Sequence, residues 1–282
     1  MPLVSVACAL KQAQQGRYAL PLFDVFDMQS IEGVFAAVAE KHAPVIFAMP
    51  SRILDDAPTL GLAAYVRQRA LQAQTPVSLM LDHGRSFEHC VKALTVGFTD
   101  VMFDGSKLSY EENAATTKAV VRAAHAVGAL AEAELGQVGR GVEYQTFGAQ
   151  RKGFTDPEMA ERFVAETGAD LLAVAIGNAH GLYAGEPQID LDLLGEIRER
   201  VSIPLVLHGG TGLSEKQFRA AIAGGIAKIN IATDLYVTTT RRLAAATQAD
   251  NVTYFDLLLV AIASFKERCC HYFDLFGASG KG

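Results

Sequence analysis

The chain is poor in cysteine, and none of its cysteines is paired in a way that suggests a structural role. Cys8, Cys90, Cys269 and Cys270 are the only four in 282 residues, and no two are spaced as CxxC. The adjacent Cys269 and Cys270 are badly placed to bridge to one another, so no disulfide framework is expected and a reducing cytoplasm is the expected home. Long apolar runs are missing too. None approaches the roughly 18–20 residues of a membrane span, so no membrane association is expected. Met1-Pro2-Leu3-Val4-Ser5 lacks the basic start and apolar core of a secretory leader, and no signal peptide is expected. Positive charge is in deficit, with 25 Lys and Arg against 31 Asp and Glu and a net charge of −6. That balance argues against a basic face for nucleic acid. It leaves phosphorylated small molecules open, because local charge decides those. No internal repeat, low-complexity tract or linker divides the chain, so residues 1–282 are expected to form one domain.

Half of the residues are hydrophobic and 20% are charged, an ordinary globular composition with enough length for a large core. Short apolar runs bounded by turn residues alternate with amphipathic segments from end to end. Strands are expected over residues 19–23, 44–49, 76–81, 100–103, 128–134, 170–176, 203–207 and 227–231. Helices are expected over 30–41, 60–72, 87–94, 111–127, 157–167, 191–200 and 215–223, with two more, 235–246 and 254–273, after the last strand. Ser214-Glu215-Lys216-Gln217 reads as a capping box, and Asp156-Pro157 as a cap followed by proline at the first helical position. Eight strands in strict alternation with helices predict an α/β fold, a single (β/α)₈ TIM barrel with extra C-terminal helices, rather than an open sheet. A short helix over 5–15 would close the bottom of the barrel. The segment 136–154 breaks the pattern. It is long, carries Gly136, Gly139, Gly141, Gly148 and Gly153, and loops of that kind are commonly lids or disordered segments.

A barrel of this type carries its chemistry at the C-terminal ends of its strands. Polar residues fall there in turn: Asp24, Ser51, Asp82 with His83, Asp104 with Ser106, Glu132 and Glu134, Asn178 with His180, His208, and Asn230 with Thr233. His83, His180 and His208 each follow a buried-strand pattern. Three imidazoles from three strand ends, with one position left open, match the coordination plan of a catalytic zinc. Asp82 beside the first would stand ready for proton transfer. His42, His89, His125 and His271 lie in helix-like segments and read as surface or core residues.

Gly209-Gly210-Thr211-Gly212 follows the seventh strand and runs into a helix. Such a turn can bind phosphate through backbone amides and a helix N-terminus, or it can be only a tight turn; Gly181 after His180 carries the same two readings. Glu132 and Glu134 share parity, so both face the barrel interior or both face away. One of them could pair with a buried cation or orient a histidine. Lys228 shares parity with Asn230 and reads as a partner in a buried ion pair rather than a Schiff-base lysine.

These strings resemble the class II, metal-dependent fructose-bisphosphate and tagatose-bisphosphate aldolases. The matching pieces are Leu81-Asp82-His83-Gly84 with Ser86-Phe87-Glu88, Asp104-Gly105-Ser106, Glu132-Ala133-Glu134-Leu135-Gly136, Ala175-Ile176-Gly177-Asn178-Ala179-His180-Gly181, Val206-Leu207-His208-Gly209-Gly210, and Lys228-Ile229-Asn230-Ile231-Ala232-Thr233. Phe276-Gly277-Ala278-Ser279-Gly280-Lys281 is similar to the family's ending, and coverage is essentially the whole chain. The resemblance implies Zn²⁺, or another divalent metal, on His83, His180 and His208, with Asp82 transferring protons. Glu134 and Asp104 would lie behind the metal or hold it in a displaced position. Asn230 would contact the enediolate-forming donor. Glu143, after Gly141-Val142, would be the acid of the mobile loop. Gly181, Gly209, Gly210, Thr211, Ala232, Thr233, Asp24 and Ser51 would line the substrate. The implied partner is a small-molecule sugar phosphate, in a homodimer or homotetramer.

The departures from the family pattern cluster around the substrate. Asp24 stands where Asn is usual, Pro50 where a serine is usual (with Ser51 adjacent), and Ala184 where a lysine commonly pairs with phosphate. Ala232 replaces an aspartate that many members carry, as in the tagatose-type branch, and Arg140 disturbs the loop spacing around Glu143. A metal aldolase whose substrate is not ordinary fructose 1,6-bisphosphate is therefore the expectation. Three other readings were weighed. A zinc hydrolase on the same barrel lacks an HxH pair on the first strand. A Schiff-base aldolase lacks a lysine on the sixth. A non-catalytic relative is hard to reconcile with all three histidines and Asp82.

Overall fold

The computed structural model describes residues 3–54, 57–143 and 151–282. Its centre is a closed barrel of eight parallel strands: β1 (Leu20–Asp24), β2 (Val45–Pro50), β3 (Val77–Gly84), β4 (Asp100–Phe103), β5 (Leu130–Leu135), β7 (Leu171–Val174), β9 (Leu205–Leu207) and β10 (Ile226–Ile231). Neighbours follow chain order around the barrel, and β10 closes it by pairing with β1, Leu20 opposite Lys228. Nearly every strand residue is buried, because helices cover the outside and side chains fill the inside. This is why the strands read as continuous apolar runs rather than alternating ones. Glu132 and Glu134 on β5 both point inward and are fully buried.

The expected barrel is present, with two strands starting later than expected, at Leu130 and Leu205, and one ending earlier. The run expected over 170–176 leaves the barrel ladder after Val174. The reason lies in side chains that take over its backbone donors. Thr155 Oγ1 accepts the Ala175 N–H at 2.8 Å, and Asn178 Oδ1 accepts that of Ile176 at 2.8 Å. With those amides satisfied, the chain is free to turn away. His180 then arrives on a separate short strand, β8 (Ala179–His180), paired in parallel with β6 (Gly139–Arg140). The 136–154 segment thus contributes a strand that was not expected, and its residues 144–150 lie outside the described part.

α1 (Ala7–Gly16) closes the bottom of the barrel. Its approach is fixed by Asp100, the fully buried first residue of β4. That carboxylate accepts from Ser5 Oγ at 2.6 Å, Val6 N at 3.0 Å, Leu130 N at 3.1 Å and Ser78 Oγ at 2.5 Å. Hydrogen bonds to a charged acceptor contribute roughly 1.5–3 kcal/mol each, and donors left buried without it are costly. Asp100→Ala is expected to cost at least about 3 kcal/mol and to lower the melting temperature by about 6 °C or more. A calorimetric melt within 2 °C of wild type, where only ~0.5–1 kcal/mol would be lost, would refute it.

The long helix α10 (Tyr254–Phe276) lies across α2 (Met28–Lys41) and α9 (Thr233–Ala246). Gly33 permits this approach: a Cβ there would stand 2.5 Å from the Phe265 Cβ. Among the described residues, no helix is long and apolar enough to cross a membrane.

Candidate active site

Three histidines converge at the C-terminal end of the barrel. His83, on β3, has φ +49°, in the left-handed region that disfavours a side chain. Such a conformation costs on the order of 1–3 kcal/mol and persists only where the surroundings fix it. Here Ser51 Oγ donates to the His83 carbonyl, and Asp104 Oδ2 holds the ring at Nδ1, 2.9 Å away. Ser106 braces Asp104 in turn, its N–H and hydroxyl reaching Oδ1 at 3.1 and 2.6 Å. His83 Nε2 therefore faces inward, 3.2 Å from Nδ1 of His208.

His208 follows β9 and is fully buried. Its Nε2 lies 2.9 Å from Glu132 Oε1, and its carbonyl accepts from Asn178 Nδ2 at 3.0 Å. His180 completes the cluster, its ring centre 4.9 Å from that of His83 and 5.8 Å from that of His208. The Nε2 atom of His180 is buried with no hydrogen-bond partner among the described residues. Among the described residues, ring nitrogens of His83, His180 and His208 all lie within 4.8 Å of one another, and so do donor atoms of His83, Asp104 and Glu134. His42, His89, His125 and His271 belong to neither group.

Charge around the imidazoles is strongly negative. Asp82 is buried, accepts from Asn230 Nδ2 at 3.0 Å, and puts its other oxygen 3.8 Å from His83 Nε2. Burial opposes charge on His83, but Asp82, Asp104 and Glu134 together push its pKa up to about 10. Burial, with His83 and His208 adding to it, takes His180 down to about 3, so its ring stays neutral and able to act as a ligand. Burial and the Asp104 charge push Glu134 up to about 8, and its Oε2 has no hydrogen-bond partner. Glu132 goes the other way, to about 2. Burial would raise it, but the Lys228 ammonium, 2.8 Å from Oε2, holds it ionised. Orphaned ring and carboxylate atoms beside surplus negative charge fit a divalent cation, which would take the place of the proton that the carboxylates hold on His83, and a set of three imidazoles suits zinc.

The other residues named from the sequence sit around this cluster. Asp24, at the end of β1, is buried with Oδ1 unpartnered; burial and then Asp82 hold its carboxyl well above the usual range. Ser51 spends its hydroxyl on His83, as described, so its hydrogen is committed to the protein. Gly181 follows β8. At Gly209 φ is +65° and any Cβ would strike the Ala179 carbonyl, so glycine is required there. Gly210 packs beside Phe218 and Ile231, and Thr211 Oγ1 accepts the Asp234 N–H at 3.1 Å. Ala232 and Thr233 open α9, and Ala232 supplies no side-chain cap. Glu143 ends a short 3₁₀ turn, Gly141–Glu143, but its side chain lies outside the described part. Ala184 N donates to the Gly141 carbonyl at 2.8 Å, tying the segment just after β6 to the turn after His180.

Some supporting residues escaped the sequence reading. The Tyr183 hydroxyl accepts from Ala179 N at 2.7 Å and donates to the Gly209 carbonyl at 2.9 Å, joining two turns of the site. Asn178 was noted as a strand-end residue, but not as the group that fixes the turn to His180. Nothing in a single sequence marks either role, since each depends on contacts between loops.

The architecture is that of an α/β-barrel enzyme with a cation-seeking cluster at the C-terminal ends of its strands. The chain belongs to the class II fructose-bisphosphate aldolase family, whose pattern it matches over residues 4–281. It is 37% identical over 269 residues to YdjI of Escherichia coli K12, a protein described as uncharacterised, covering 95% of each chain. The crystal structure of that protein, described as the YdjI aldolase, superposes with a TM-score of 0.88 over 99% of both chains at 34% identity. A Coccidioides immitis protein, solved as a proposed fructose-1,6-biphosphate aldolase, superposes with a TM-score of 0.87 over 96% of both chains at 28% identity.

Proposed function

We propose that the chain is a zinc-dependent class II aldolase, a lyase that reversibly cleaves a ketose phosphate or bisphosphate into a dihydroxyacetone-phosphate-like donor and an aldehyde. The carrying observation is the buried, partnerless Nε2 of His180, in a ring cluster with His83 and His208. These three residues would hold the metal, with Glu134 and Asp104 able to offer a second position with His83. When bound, a divalent ion supplies Lewis-acid polarisation of the substrate ketone.

The chain's own residues do the rest. Asp82 takes the proton of the C4 hydroxyl as the C3–C4 bond breaks, so that C4 leaves as an aldehyde. The bonding electron pair stays on the donor fragment, and Glu143 delivers a proton to C3. Asn230 hydrogen-bonds Asp82 and keeps its carboxylate turned to the site. The start of α9, where Ala232 supplies no cap and Thr211 Oγ1 takes the Asp234 N–H, lies beside Gly209, Gly210 and Thr211 and supports an anion site for one phosphate, with Gly181 across the cluster. Asp24 and Ala184 support the narrower reading, a substrate other than fructose 1,6-bisphosphate. A missing lysine contact to phosphate forgoes about 1.5–3 kcal/mol, and the unpartnered Asp24 oxygen calls for a hydroxyl donor rather than a second anion.

As one domain over residues 1–282, the enzyme would work in the cytoplasm as a homodimer or homotetramer, for which the exposed Tyr254, Phe255 and Leu259 of α10 offer an apolar surface. Treatment with EDTA is expected to abolish cleavage and added zinc to restore it, in assays over a panel of ketose mono- and bisphosphates and unphosphorylated ketoses. Activity that survives complete metal removal would refute the zinc reading. Full activity on fructose or tagatose 1,6-bisphosphate would refute the divergent substrate alone.

A further inference from the structure

Lys228 is a lysine with no exposed surface, set in the barrel wall between Leu20 of β1 and Val206 of β9. Its Nζ is 2.8 Å from Glu132 Oε2 and donates to Asn230 Oδ1 at 2.7 Å. Glu132 belongs to β5 and Lys228 to β10, with β7 and β9 between them in the barrel wall, so the pair spans the interior. We propose that Lys228 is a positioning residue with two outputs: through Glu132 it fixes which nitrogen His208 presents to a metal, and through Asn230 it fixes which end of the amide faces Asp82. This inference rests on the proposed metal site.

The two outputs follow from donor and acceptor bookkeeping. An ammonium has only donors, and a carboxylate paired with it offers only acceptors. Glu132 Oε1, 2.9 Å from His208 Nε2, therefore requires the proton on Nε2 and leaves the lone pair on Nδ1. That is the nitrogen 3.2 Å from His83 Nε2, on the side of the ring cluster. Lys228 likewise occupies the amide oxygen of Asn230, so the NH₂ end must point to Asp82, 3.0 Å away. The 3.3 Å approach of that NH₂ to His208 Nε2 then joins two donors and is a contact without a hydrogen bond. A lysine that only balanced the Glu132 charge would not need to hold Asn230 as well.

Hydrogen-bonding partners behind metal ligands typically change metal affinity by about 10–100-fold, and this sets the test. Zinc dissociation constants would be measured by chelator competition, with thermal melts alongside, for wild type, Lys228→Met and the charge-balanced double variant Lys228→Met/Glu132→Gln. The double variant is expected to melt near wild type and yet bind zinc at least about 10-fold more weakly, because a glutamine amide can present either end to His208. Zinc binding by the double variant indistinguishable from wild type would overturn the proposal and leave a pure charge pair. Nitrogen-15 spectra of the histidine rings in wild-type protein, with and without zinc, decide the matter if the variants do not fold. His208 assigned by His208→Gln must carry its proton on Nε2, and a proton on Nδ1 overturns the proposal. If wild type binds no zinc, the metal-site reading fails, and the metal-free spectrum still tests the positioning.

Discussion

His180→Ala is expected to leave the fold intact and take zinc binding and aldol cleavage down to background. Structural histidines usually hold something in place, and their loss is paid for in stability. The His180 Nε2 holds nothing among the described residues. Its backbone pairing with Arg140 in β6 does not depend on the side chain. The ring is therefore buried at a cost that only an external partner can offset. Structural zinc sites carry roughly 10–16 kcal/mol of binding free energy, so losing one of three protein ligands removes about 4 kcal/mol, near a thousandfold in affinity. Zinc content after dialysis and a differential scanning calorimetry trace would be read together. A variant that melts near wild type and holds no zinc agrees with the assignment. One that keeps stoichiometric zinc and turns over substrate defeats it. His208→Ala would be a poorer probe, because it takes from Glu132 Oε1 its ring partner in the barrel interior.

The contrast between these two histidines shows what a single sequence can and cannot reveal. Strand runs such as Val77–Leu81 and Leu205–Leu207 are legible because parallel strands are buried on both faces, and the barrel rule then puts His83 and His208 at their ends. Parity alone puts Glu132 and Glu134 on one face, and burial in the structure shows that face to be the interior. Less legible is His180, which is carried to the site not by its barrel strand but by β8. Its place depends on Thr155 and Asn178 capturing two backbone amides and on pairing with β6. The Asn178 contact spans two residues, but the Thr155 bond and the β6 pairing link segments remote in sequence, and no local pattern encodes them. The division of labour between the two glutamates is hidden in the same way. Glu132 meets Lys228 across two intervening strands, while Glu134 faces the rings of His83 and His208, and burial with the Asp104 charge pushes its pKa up to about 8. The resemblance implies Ser51 as a substrate contact, and in the structure its hydroxyl donates to the carbonyl of His83, whose backbone is strained. Position told where it would be, and only the structure told which neighbour had claimed it.

Asp82→Asn is expected to lower the rate of C–C cleavage by about 10²–10⁴-fold, the usual contribution of a positioned proton-transfer group, while zinc binding and stability stay near wild type. The substitution keeps shape, and an asparagine oxygen can still accept from Asn230 Nδ2, so the local hydrogen bond survives. What is lost is the carboxylate that can take the C4 hydroxyl proton. The proposed mechanism divides proton traffic between two groups, and this gives the variant a sharper signature than slow turnover. In that proposal, proton exchange at C3 of the donor fragment alone would belong to Glu143 and would not pass through Asp82. In deuterium oxide the zinc-loaded Asp82→Asn enzyme should therefore still wash deuterium into dihydroxyacetone phosphate at close to the wild-type rate, although it scarcely cleaves ketose. Glu143→Gln should do the reverse of the first property and lose the exchange. Mass spectrometry of the recovered donor reads both rates. If Asp82→Asn slows exchange and cleavage by the same factor, the two carboxylates do not divide the work in this way, and Asp82 must instead act on the donor half that both reactions share.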